Sequence, residues 1–402
     1  MSQPDELSTT HPALRAYRIR NRRAMRVYAA AIALVVLFAF AAVRLAYARG
    51  EINKVDKASA PAATPLPIAL PASNLTLTWH SDDHPAGGNP YSDGVVVTYD
   101  QRSVNGRDAL TGALRWHYRR SDETLCSVVQ QDSSTIAIYN RHGNCDEVVG
   151  FETATGAPKW YRTLTDNGRT VAASAPNVVL IVADHSVHVI DNAGGLDRWA
   201  WQSPQDCVVD RALAGSLGVL IGYHCGDNRH LMLRALIDSA EKWNIPVGEP
   251  QVPIAAHALL AAINPDTAVI TTYSADKGAV GQRLPAISAT GLGEAVSALP
   301  RAQTTTEGSG SINLGVEVIR IGTALYALSG KDKLIWIAPV TGAPWVLNDN
   351  LVAAPSPAGI VLYRVSDGRE QQAISIPSAG DVTAYPAGAG LVLAGTKTQV
   401  YM

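Results

Sequence analysis

The chain has 402 residues, a formal net charge of −2, and is 47% hydrophobic and 17% charged. This length accommodates one large domain with attachments. The near-neutral balance lacks the basic face that nucleic-acid binding needs, so nucleic acid is excluded as the main partner. Gly 33 and Pro 23 beside Met 4 and Phe 3 describe a turn-rich β protein with a core of Val, Ile, Leu, Ala and Trp.

Residues 1–26 read as a cytoplasmic tail carrying Arg15, Arg18, Arg20, Arg22, Arg23 and Arg26. Residues 27–43 hold no charge; Arg44 interrupts and the apolar run continues to Ala48. As a helix, 27–48 is long enough to cross a bilayer with Arg44 snorkelling to the interface. The larger Arg cluster precedes it, so the positive-inside rule sets the N-terminus in the cytoplasm and the rest outside. The reading is an uncleaved signal anchor in the plasma membrane. A cleaved signal peptide, with Ala46-Tyr-Ala48 as its cleavage site, is the alternative. No Cys follows the apolar run, which argues against a lipoprotein. Residues 49–74 form an Ala/Pro-rich stalk, semi-extended and stiff.

From Leu75 to the C-terminus, short β-rich runs alternate with turns and no helical periodicity appears. A turn signature recurs about every 40 residues, the mark of a repeat architecture. Asp108-Ala-Leu-Thr111-Gly112-Ala-Leu-Arg-Trp116 returns at Glu152-Thr-Ala-Thr155-Gly156-Ala-Pro-Lys-Trp160. Weaker copies are Asp191 to Gly195 and Trp199, Asp238 to Trp243, and Thr341-Gly342 to Trp345. Repeat ends fall at Trp79, Trp116, Trp160, Trp199, Trp243, Val296, Trp345 and Ile374. The predicted fold is an all-β propeller of eight four-stranded blades, with seven as the alternative, the strand at Leu75–Trp79 completing the last blade. Gln303–Gly310 reads as a loop between blades.

Cys126 and Cys145, like Cys207 and Cys225, are separated by nearly equal lengths. The first of each pair begins an early strand and the second follows the next, which sets both at one end of an antiparallel pair. The repeat symmetry favours two within-blade disulfides in an oxidising compartment over four reduced, buried thiols.

The Asp-x-x-Thr-Gly-x-x-x-Trp pattern resembles the repeats of quinoprotein-type, PQQ-like propellers over 75–402. The resemblance implies that Thr-Gly turns link the last two strands of each blade and that each Trp docks on a neighbouring blade. The chain lacks the adjacent cysteines and the Cys-x-x-Cys-His haem motif of the dehydrogenases. It is more similar to the non-catalytic members, such as the propeller lipoprotein of outer-membrane protein assembly, which work by binding partners. That implies no cofactor and no catalysis.

Other clusters carry chemistry more weakly. His80-Ser-Asp82-Asp83-His84 could ligate a cation but reads as a solvated loop. His185 and His188 fall on opposite faces of a strand. His142 and His224 lie near the second Cys of each pair, where a Cys–His couple competes with the disulfides. Gly308-Ser-Gly310 lacks a phosphate-binding setting. The expected function is a membrane-anchored extracytoplasmic scaffold for an envelope protein partner. A funnel sensor of small ligands or cell-wall polymer and a quinone-dependent or hydrolytic enzyme are the alternatives. The Ala-, Arg- and Val-rich character fits a high-GC bacterium with an actinobacterial envelope.

Overall fold

A computed structural model describes residues 27–44, 55–67, 69, 74–247 apart from a few loop positions, the strands and short links between 259 and 376, and 383–402. The proposed tail, His142, Gln303–Gly310 and Gly308–Gly310 lie outside the described residues.

The chain separates into two units, Met1–Asp56 and Lys57–Met402. In the first, Val27–Arg44 is one helix of 18 residues with none of its apolar window buried. At 1.5 Å per residue it is about 27 Å long, close to the thickness of a bilayer core. Residues 45–48 of the expected span 27–48 lie outside the described ones.

The second unit is a β-propeller whose strands form eight sheets. The first sheet is built on Val95–Tyr99, Ser103–Asp108 and Leu114–Arg120, with the short strands His84–Pro85 and Tyr91–Ser92. The second holds Thr124–Gln131, Ser134–Arg141, Asn144–Glu152 and Pro158–Thr163, and the third Gly168–Ala173, Val178–Ala183, Ser186–Asp191 and Asp197–Gln202. The fourth holds Cys207–Gly215, Gly218–Cys225, Asn228–Arg234 and Glu241–Val247, and the fifth Leu259–Asn264, Thr267–Thr271, Leu284–Ser288 and Gly291–Val296. The sixth comprises Ser311–Asn313, Val316–Ile321, Ala324–Ser329 and Lys333–Pro339. The seventh comprises Trp345–Asn348, Leu351–Ser356, Gly359–Arg364 and Glu370–Ile374. Thr383–Ala387, Gly390–Ala394 and Thr398–Tyr401 make the eighth together with Leu77–Ser81, which pairs antiparallel to the last strand and closes the ring.

Where their side chains are described, second strands are buried on both faces because side chains alternate across a strand and each face meets another sheet. Val178–Ala183 is buried at every position. Val178, Leu180 and Val182 join a cluster with Val209, Val219 and Ile221 of the fourth sheet. Val179 and Ile181 join Ile136, Ile138 and Val148 of the second. The seventh sheet repeats this, with Val352 and Ala354 toward Val318 and Leu325 of the sixth, and Ala353 toward Leu391 and Leu393 of the eighth. The core is therefore a set of apolar layers between consecutive sheets.

In each four-stranded meander the first-to-second and third-to-fourth turns share one end, called here the turn face. The second-to-third turns and the links to the next sheet share the other, the linker face. Part of the expected stalk is not a free spacer: from Ala60 to Leu66 it is bonded to the turn face. Ala60 N donates to Thr155 O at 3.0 Å, and Leu66 N donates to Tyr91 Oη at 3.0 Å.

Candidate functional site

The recurring motif is a sheet-to-sheet fastener. Asp108 Oδ1 accepts from the Leu110 and Thr111 amides at 3.1 and 3.0 Å and from Thr111 Oγ1 at 3.0 Å. Burial raises the Asp108 carboxyl pKa, but these bonds and the Arg115 charge outweigh it and hold the group below the ordinary carboxylate range. Gly112, Gly156 and Gly195 adopt φ of +72°, +71° and +68°, which a tight third-to-fourth turn needs. Each of these glycines lies against the Trp of the preceding sheet: Gly112 against Trp79, Gly156 against Trp116 and Gly195 against Trp160. The indole N–H groups complete the dock. Trp79, Trp116, Trp160 and Trp199 donate to the carbonyls of Ala109, Thr153, Asn192 and Leu236 at 2.9, 2.8, 3.0 and 3.1 Å. These side chains bond and pack within the protein, so they form structure rather than a ligand site.

The final copy is set differently. Thr341 and Gly342 lie between the sixth and seventh sheets, and Trp345 opens a first strand. The docking side chain is Trp336, which donates to Val365 O at 2.7 Å and faces Gly368, whose φ is +70°. Local likeness to Thr-Gly-x-x-Trp selected the wrong indole. The repeat length and the Asp367-Gly368 turn were the sequence signals for Trp336. Trp243 occupies its expected last strand.

Both disulfides are present on the linker face. Cys126 bonds to Cys145 with Cα atoms 6.1 Å apart, and Cys207 to Cys225 with 4.2 Å. Their settings differ from the symmetric expectation. Cys207 and Cys225 are direct cross-strand partners on the first two strands. Cys145 sits on the third strand of its sheet, opposite Asn140, beside irregularities in both neighbouring pairings.

The candidate histidine and acid groups are dispersed. Asp82 pairs with Lys397 at 2.5 Å, while Asp83 binds Arg107 at 2.8 Å and accepts from Thr98 at 3.1 Å. His84 packs on Tyr99 with ring centres 5.6 Å apart. His185 Nδ1 lies 2.9 Å from Cys207 O, His188 Nε2 lies 3.2 Å from Ser186 Oγ, and His224 Nδ1 lies 2.7 Å from Asp210. Among the described residues no group of three or more His, Cys, Asp or Glu is placed to hold a metal.

One charged cluster escaped the sequence reading. Beneath the linker face, Arg120 Nη2 binds Glu123 at 2.7 Å and Nη1 lies 3.2 Å from Glu147, which Arg141 binds at 2.7 Å. Arg120, Glu123 and Glu147 are all buried. The Arg120 guanidinium also lies 5.9 Å from the ring centre of Tyr139. Burial, with Glu147 alongside and against the opposing Arg120 charge, lifts the Glu123 carboxyl to about 7. Arg120 and Glu123 are only three residues apart, but with Arg141 and Glu147 they match no pattern that marks a site, so spacing alone carried no signal. Each charge has a partner, and the cluster joins the link after the first sheet to the second.

On the turn face a cavity of about 660 Å³ opens among the first, second, seventh and eighth sheets. Leu66, Tyr91, Asp93, Asp132, Leu347 and Pro386 are among its walls. Asp132 Oδ2 accepts from Asn177 N at 2.8 Å and from Asn192 Nδ2 at 3.1 Å, so this carboxylate ties consecutive sheets together. The recess is lined by both apolar and polar residues. The third-to-fourth hairpins of the first, third and fourth sheets expose aliphatic side chains on the turn face: Leu110, Leu114, Leu196 and Ile237 are 50%, 52%, 72% and 78% exposed.

A family model described as outer membrane protein assembly factor BamB matches residues 64–284, more than half of the chain. The chain belongs to this PQQ-like propeller family. BamB from Moraxella catarrhalis is similar in structure, with a TM-score of 0.53 at 15% identity, covering 82% of this chain and 99% of that one. The computationally designed Ika8 protein has a TM-score of 0.52 at 14% identity, covering 81% and 98%. Saccharomyces cerevisiae Sqt1 has a TM-score of 0.52 at 10% identity, covering 84% and 98%. At these identities the likeness concerns the fold. No curated protein matches the chain by sequence.

Proposed function

We propose that this protein is a membrane-anchored, non-enzymatic interaction scaffold of the bacterial cell envelope, with the propeller outside and the N-terminus in the cytoplasm. The observation that carries the reading is that hairpins of the first, third and fourth sheets each expose aliphatic side chains on the turn face, Leu110 with Leu114, Leu196 and Ile237. Folding leaves them in water, and a partner surface would bury them. Membership of a family described by an outer-membrane assembly factor supports an envelope protein as that partner. The apolar helix Val27–Arg44 supplies the anchor. Crosslinking and pull-down of the full chain from its own membrane tests this. Capture of a reproducible envelope protein, lost on Leu196→Asp with Ile237→Asp, is the expected outcome. An unchanged capture profile in that variant refutes the surface.

The recess of about 660 Å³ favours a second reading, a sensor of small ligands or cell-wall polymer. A thermal shift with cell-wall fragments and no captured protein would move the assignment there. Quinone chemistry is the third reading. PQQ with calcium is expected to give neither oxidation of alcohols or sugars nor a thermal shift, and a clear shift would revive it.

A further inference from the structure

The stretch Ala60–Pro67 has no regular secondary structure, yet it is held along its length. Its sequence, Ala60-Pro61-Ala62-Ala63-Thr64-Pro65-Leu66-Pro67, carries three prolines that fix φ and favour an extended backbone before any contact forms. Ala60 N donates to Thr155 O at 3.0 Å, Pro61 O accepts from Arg115 Nη2 at 2.8 Å, and Leu66 N donates to Tyr91 Oη at 3.0 Å. The Leu66 side chain packs on the cluster of Val96, Ala109, Ala387, Val392 and Val400, between the first and eighth sheets.

Two glycines make room for it. A Cβ on Gly94 would lie 2.3 Å from Thr64 O, and one on Gly388 would lie 2.6 Å from Leu66 Cβ. Turn geometry alone does not demand glycine there, because Asp132 and Asn177 hold φ of 52° and 61° at the corresponding hairpins. The close approach of the segment does. Pro65, Leu66 and Ala69 form part of the wall of the adjoining cavity of about 660 Å³.

We propose that this groove is a docking site for an extended, proline-containing peptide with one aliphatic anchor, occupied in cis by residues 60–67, and that a partner protein offering such a segment binds there when the cis segment lifts. The proposal rests on the scaffold reading and specifies its partner chemistry. Main-chain bonds, a leucine seat and pre-set proline backbones are the elements by which proline-rich peptides are recognised. A tethered segment competes at an effective concentration in the millimolar range, so the groove stays closed to weak free peptides.

The test uses the full chain in detergent micelles and a labelled peptide copying residues 59–67. Leu66→Asp removes the cis anchor and leaves the groove intact. Leu66→Asp with Gly388→Asn fills the seat, while Asn keeps the positive φ of that turn. The peptide is expected to bind Leu66→Asp saturably, at least about tenfold more weakly to the wild type, and not at all to the double variant. In the wild type the Ala60 and Leu66 amides are expected to exchange slowly with solvent, and Gly388→Asn to release both. Equal binding to all three proteins, binding to none, or free-chain exchange at both amides in the wild type overturns the proposal. Peptide binding without any captured envelope protein would sink the scaffold reading and leave the groove standing. Capture unaffected by an empty or filled groove would do the reverse.

Discussion

Gly156→Ala tests the sheet-to-sheet dock directly. Gly156 has φ +71°, and a Cβ there would lie 2.4 Å from Cγ and Cδ2 of Trp116. The indole has no retreat. It is fully buried, its N–H is bonded to Thr153 O at 2.8 Å, and its other side is closed by Gly106, whose own Cβ direction meets the ring at 2.1 Å. Two costs therefore add. Alanine at positive φ costs roughly 1–2 kcal/mol, and overpacking a filled interface costs roughly 1–3 kcal/mol. Gly226→Ala isolates the first cost, because Gly226 has φ +59° and nothing within 4 Å of its Cβ direction. Gly156→Ala should thus be less stable than Gly226→Ala by roughly 1–3 kcal/mol, or about 5- to 150-fold in the unfolding constant. The assay is urea denaturation of the full chain in detergent with disulfides intact, read by tryptophan fluorescence. Adding Trp116→Phe should cost less in the Gly156→Ala background than in the wild type, since the clash is relieved. Equal midpoints for the two glycine variants would refute the dock as a tight-packed joint.

Trp336→Phe should destabilise by about 1–3 kcal/mol more than Trp345→Phe, because only Trp336 leaves a buried carbonyl, Val365 O, without its donor. Mass spectrometry of non-reduced peptides should link Cys126 to Cys145 and Cys207 to Cys225, and crossed or free thiols would be fatal to that assignment. Replacing Cys207 and Cys225 by Ser should cost about 3 kcal/mol, read as a lower urea midpoint. Glu123, lifted to about 7 by burial, binds its proton more tightly folded than unfolded. Its stabilising share is complete below the ordinary carboxylate pKa and lost as pH rises through about 7. The urea midpoint should therefore fall between pH 5 and pH 8, and Glu123→Gln should flatten that slope; an unchanged slope would rule Glu123 out as its source.

Much of the architecture was legible because each repeat writes its own ending. Trp79, Trp116, Trp160, Trp199 and Trp243 lie on the outer strands, at the expected repeat ends. Val296 and Ile374 also end their sheets without a Trp. The phase failed once, at Thr341-Gly342-Ala-Pro-Trp345, because a short motif does not specify which pair of strands a turn connects. Val316–Ile321, Ala324–Ser329 and Lys333–Pro339 complete the sixth sheet before that motif begins. The cysteine pairing was legible from repeat symmetry, while the strand that carries Cys145 was not, because irregular pairing shifts the register near it.

The sequence by itself determined the period, the turn chemistry, the strand character and the apolar N-terminal segment. All of these are local: alternation along a strand, a glycine at positive φ and an unbroken apolar run act within a few residues. Tertiary structure alone decided what meets across the ring. It set Trp336 rather than Trp345 in the sheet-to-sheet dock, gathered Arg120, Glu123 and Glu147 into one buried cluster with the half-exposed Arg141 at its edge, and laid Ala60–Pro67 across Gly94 and Gly388. Those contacts follow from closing the sheets on one another, which brings together residues whose separation along the chain carries no trace of their final proximity.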